Sequence, residues 1–133
     1  MFVHYMNKEH QERFSNLLRK HSKVFSDGKV DSEYATAYFL LTANYYVWNK
    51  VSKYIDDDGI DFDVMDENCV FSSGESLIVK LAGNLFNGSF YRDISPINFI
   101  ANLDAEHFQI IMDAFKVRKM GGNLNIDYLG LEG

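Results

Sequence analysis

The chain has one cysteine, one proline and no long apolar run, and each shortage excludes something. A lone cysteine, Cys69, rules out an intrachain disulfide framework and suits a reducing compartment. A single proline, Pro96, suits a compact helical domain with few rigid breaks. The longest apolar stretch, near Tyr38 to Leu41, is far too short to cross a bilayer. Residues Met1 to Lys8 lack a basic segment followed by an apolar run, so no signal peptide is expected. Positive charge is also scarce: 13 Lys and Arg against 19 Asp and Glu give a net charge of −6. Duplex binding needs clustered Lys and Arg to neutralise phosphates, so a duplex-binding surface is not expected. The nine glycines spell neither a phosphate-cradling loop nor a dinucleotide fingerprint. A soluble, cytoplasmic, acidic protein that makes no contact with membranes is the expectation.

The negative charge, in contrast, is plentiful and concentrated. Seven of the 19 carboxylates fall between residues 56 and 67: Asp56, Asp57, Asp58, Asp61, Asp63, Asp66 and Glu67, with no Lys or Arg among them. The remainder of the chain is close to neutral, so the acidity is a local property. A dense negative lobe on a neutral body invites a cation or a basic partner surface, or merely keeps the protein soluble. Rings are abundant as well, with 11 Phe, 8 Tyr and Trp48, which predicts a ring-rich core.

The length of 133 residues fits one domain. The dominant hydrophobic period is helical. Asn7 can cap a first helix carrying Phe14, Leu17 and Leu18 on one face. Asp31 or Ser32 caps a second through Ala35, Tyr38 and Leu41, with a break expected near Asn44 before Val47, Trp48 and Val51. The acidic stretch reads as a loop. Ser72-Ser73-Gly74-Glu75 is a capping-box start, and the apolar helix after it is expected to be the buried centre. Ser95-Pro96 opens a short helix. Asp104 caps the last one, which Gly121-Gly122 end. The fold class expected is therefore all-α: a single orthogonal bundle of five to six helices over residues 1–121, with a C-terminal tail, 122–133, either mobile or docked. The tail's Leu124, Ile126, Tyr128 and Leu129 would suit a homodimer in which tails dock across subunits.

An EF-hand with Gly59 at its sixth position would place Tyr54 first and Met65 twelfth, so both anchoring ligands are missing. An irregular divalent-cation site from Asp56, Asp58, Asp61 and Asp63 is the weaker reading, and no resident metal or cofactor is expected. The histidines His4, His10, His21 and His107 show no zinc-ligand spacing. Ser72 and Ser73 are explained by capping, and Cys69 by packing beside Val70 and Phe71. No nucleophile or general base stands out, so the chain is not expected to be an enzyme. Tyr45, Tyr46, Trp48, Tyr91 and Arg92 could build a stacking pocket for a nucleotide-like ligand.

Three segments together resemble a known group: Met6 to Phe14, the Gly59-Ile60-Asp61-Phe62 step, and Ser72 to Glu75 leading to Leu81 through Gly88. They are similar to small proteins, of unassigned function, from Gram-positive bacteria and their phages, over about residues 5 to 120. The resemblance implies a mobile-element setting, in which small accessory proteins bind host proteins and some block defence systems. It carries no catalytic residue with it. The leading expectation is a protein-binding module that uses the acidic residues 56–67 as its recognition face. The alternative is a small-ligand binder.

Overall fold

The computed structural model describes residues 2–88 and 94–132. Among these, eight α-helices, two short 3-10 turns and one two-stranded hairpin surround a shared core. The chain is thus predominantly helical, but with more helices than the five or six expected.

Helix α1 (Lys8–Lys20) begins where the Asn7 side chain accepts the His10 amide, and it buries His10, Phe14, Leu17 and Leu18. Ser22, in the left-handed region at φ 57°, turns the chain into a small loop closed by a Val24–Val30 bridge. Asp31 caps α2 (Ser32–Ala43), which ends at Asn44; that same side chain caps α3 (Tyr45–Val51).

The central helix is α2, not the one after Ser72. Every residue from Ala35 to Ala43 is buried, and α1, α5 and α7 pack around it. Small side chains at Ala35, Thr36, Ala37, Thr42 and Ala43 allow neighbours on all sides. The two threonine hydroxyls are satisfied locally, Thr36 donating to Ser32 O at 2.7 Å and Thr42 to Tyr38 O at 2.6 Å.

The acidic stretch is not a loop. After a 3-10 turn (Ser52–Tyr54), β1 (Ile55–Asp56) pairs antiparallel with β2 (Gly59–Ile60), and α4 (Phe62–Asn68) follows at once. Helix α5 (Ser73–Asn87) carries the expected capping box, with Ser72 Oγ accepting the Glu75 amide and Glu75 Oε1 accepting the Ser72 amide. Glu75 also meets Lys50 at 2.9 Å, and these partners outweigh partial burial to hold its carboxyl below the usual range. Ser72→Ala should cost about 1 kcal/mol, seen as a lower urea midpoint with an unchanged slope.

Helices α6 (Pro96–Asn102) and α7 (Ala105–Met120) complete the body. The C-terminal segment then docks onto it. A 3-10 turn (Gly121–Asn123) leads to α8 (Ile126–Leu129), with Leu124 and Leu129 fully buried and Leu131 nearly so. Backbone bonds tie it to the chain's beginning and to the loop after α1: Phe2 N donates to Tyr128 O, Val30 N to Leu124 O and Ile126 N to Gly28 O. The tail's leucines are thereby consumed within their own chain, which removes the ground for docking across subunits. No helix among the described residues is long and apolar enough to cross a membrane.

Candidate functional site

The seven carboxylates lie on one hairpin–helix unit, and all seven are exposed. The unit is held from beneath. Ile55 and Met65 are buried, and the Phe62 ring packs on Phe86 at 5.9 Å between centroids. A side chain at Gly59, where φ is 144°, would meet Tyr34 Oη at 3.4 Å, so the turn lies close against α2.

The carboxylates divide their work. Asp56 Oδ1 accepts the amides of Asp58 at 2.8 Å and Gly59 at 3.1 Å, fixing the hairpin turn. Asp61 Oδ1 accepts the Val64 amide at 3.1 Å and so starts α4. Asp57 Oδ1 lies 2.5 Å from Nδ1 of His21, whose side chain is almost wholly buried. Since the ionised carboxylate can only accept, His21 Nδ1 donates. Asp58, Asp63, Asp66 and Glu67 face solvent, and among the described residues none of the seven forms an ion pair with Lys or Arg. The field of the lobe reaches Tyr34, whose phenol is raised above its ordinary value chiefly by burial, then by Asp31, Asp56 and Asp58. Lys23 Nζ sits over the Tyr34 ring at 3.7 Å.

The aspartates of the irregular cation cage are not gathered at one point among the described residues. Among the described residues no group of three His, Cys, Asp or Glu side chains could hold a metal ion, and two of the four aspartates named for it already accept backbone amides.

Of the aromatic residues proposed for a stacking pocket, three lie among the described residues. Tyr45 and Tyr46 are 60% and 70% exposed and contact each other edge-on, whereas Trp48 packs against the core. Tyr91 and Arg92 lie outside the described residues.

Two buried polar groups escaped the sequence reading. His10 accepts the Met6 amide at Nδ1 (3.0 Å) and donates from Nε2 to Phe39 O (2.9 Å). Burial above all pushes its pKa down to about 4, with Arg13 adding to the effect and the Phe39 bond opposing it. Asp113, fully buried on α7, takes the His4 amide (2.9 Å), the His4 ring Nδ1 (3.1 Å) and Gln109 Nε2 (3.3 Å) on one oxygen, while Lys116 Nζ stands 3.2 Å from the other. Both groups clamp the N-terminal segment to the helices. The available signal was a carboxylate on the same stripe of α7 as Ile110, Ala114 and Val117. His107 bridges Asp104 and Asn44, and its amide and ring lower the Asp104 carboxyl below its ordinary range.

No family model matches the chain, and neither a curated protein nor a solved structure matches it.

Proposed function

We propose that this chain is a non-enzymatic protein-binding module whose acidic lobe, Asp56 to Glu67, docks onto a basic surface of another protein. The observation that carries this reading is the exposure of seven carboxylates, unpaired with Lys or Arg among the described residues, on a hairpin–helix unit pinned to the core. Asp58, Asp63, Asp66 and Glu67 add mutual repulsion without the turn and capping roles that Asp56 and Asp61 fill. Their backbone is already ordered by Asp56 and Asp61, so a partner need not supply that ordering on binding. The resemblance to small proteins of Gram-positive bacteria and their phages favours a host protein, including one from a defence system, as the partner. Tyr45 and Tyr46 are mostly exposed while Trp48 packs against the core, which gives the small-ligand reading less support.

The test spares the structural aspartates. A variant with Asp58, Asp63 and Asp66 changed to Asn and Glu67 to Gln should capture its partner from host lysate at least about tenfold more weakly. Raised salt should weaken the parent's capture in the same direction. Circular dichroism should be unchanged, and the melting temperature equal or slightly higher because repulsion is relieved. Capture that is indifferent to both the substitutions and salt would remove the lobe from the interface.

A further inference from the structure

A second surface, using none of the lobe's residues, lies where α5, α6 and α7 meet. Ile97 and Ile100 on α6 are 64% and 61% exposed, and Met112 and Phe115 on α7 are about half exposed. Ile100, Met112 and Phe115 line a groove of about 270 Å³ floored by Leu81, Phe99, Phe108 and Ile111. Large apolar side chains gathered beside an open groove mark a contact surface more often than scattered ones do.

The charges that α6 and α7 carry beside the groove specify what could cover it. Helix α6 has no ionisable residue. On α7, positions 108, 112, 115 and 119 follow one another along a single stripe, so Lys119 ends the apolar row. The first turn and cap of α7 are acidic (Asp104, Glu106), its last turn is basic (Arg118, Lys119), and of the two charges between, Asp113 is buried on another side and pairs with Lys116 at 3.2 Å. A matching surface must therefore be apolar at its middle, basic against the first turn and acidic against the last. Helix α7 run in reverse has that profile.

We propose that a second copy of this chain covers the α6–α7 face, its α7 antiparallel to the first and Met112 close to the twofold axis. In that register residue 112 + k faces 112 − k. Phe115 then enters the mate's groove beside Gln109 and Phe108, and Lys119 falls opposite Ala105, within reach of the mate's Asp104. The two helix dipoles oppose, which also favours the pairing. Self-complementarity of one patch is what a closed twofold interface requires.

Light scattering on the full chain should give twice the chain mass at tens of micromolar. Phe115→Asp should yield a monomer, and so should Ile100→Asp, whose exposed site on the other helix keeps the test valid if the first variant folds poorly. Lys119→Glu should weaken dimerisation about tenfold by losing the cross-axis attraction. In a Cys69→Ser background, Met112→Cys should form a covalent dimer on mild oxidation, and Tyr46→Cys, away from the axis, should not. A parent protein that stays monomeric sinks the proposal, as does a dimer that survives both aspartate variants or fails to cross-link through Met112→Cys. A monomer that binds an added amphipathic peptide in this groove also overturns it, in favour of a foreign partner.

Discussion

Replacing His10 by alanine should lower the stability of the fold by about 3 kcal/mol. The ring is fully buried, edge-on to Tyr5 at 5.2 Å and against Phe39 at 4.8 Å. Its two hydrogen bonds dictate a single protonation state. The Met6 amide can only donate, so Nδ1 must be bare, and the Phe39 carbonyl can only accept, so Nε2 must carry the proton. A second proton on Nδ1 would face the Met6 N–H inside the core. Burial above all pushes the folded pKa down to about 4, whereas the unfolded ring titrates near 6.5. Between those values the unfolded chain binds more protons than the folded one, so stability rises with pH across the interval. The contribution is complete above roughly pH 6.5 and is lost as pH falls towards the folded value. A difference of that size corresponds to about 3 kcal/mol at most. Thermal melts at neutral pH and in the mid-acid range should therefore show a steep acid loss in the parent and a shallower one in His10→Ala. Parallel curves would mean that His10 is not the group responsible.

Truncation after Gly121 should abolish cooperative unfolding altogether. The removed residues include Leu124 and Leu129, both fully buried, and Leu131, nearly so. Each such side chain contributes about 2 kcal/mol by burial alone, and a domain of this kind has only about 5–15 kcal/mol to lose. The same cut strips the acceptors used by Phe2, Val30 and Tyr5 and removes the Tyr128 ring on which Phe2 stacks. The shortened chain should give a broad, non-sigmoidal melt and bind a hydrophobic dye. A sharp transition near the parent's temperature would show that the segment is dispensable.

What the sequence disclosed depended on how local each signal was. Asn7, Asp31, Ser72 and Asp104 each announce a helix within three or four residues, and each caps one in the structure. The break at Asn44 was visible for the same reason. Asp61 and Asn125 are caps too, but α4 and α8 are short, and the acidic and tail segments around them carry little helical period. The hairpin has two residues in each strand, too few for alternation to register. Helix α2 was undervalued as the centre because alanine and threonine look weakly apolar in sequence, although their small size is what lets three helices approach. The acidic cluster itself was plain from composition. Its division into turn former, helix cap, histidine acceptor and free charge was not, since Asp57 meets a histidine 36 positions away. His10 and Asp113 were hidden for a stronger version of that reason: their partners lie 29 and 109 positions distant.

Tyr5 donates to the carbonyl of Leu129 across a separation of 124 residues. Bringing two points so far apart on a flexible chain together costs about 4 kcal/mol in loop-closure entropy. That cost falls once the intervening helices have shortened the path to the seam between these two segments. Once shut, it makes the molecule a ring in mechanical terms: loosening either end releases the other, and neither can fray alone.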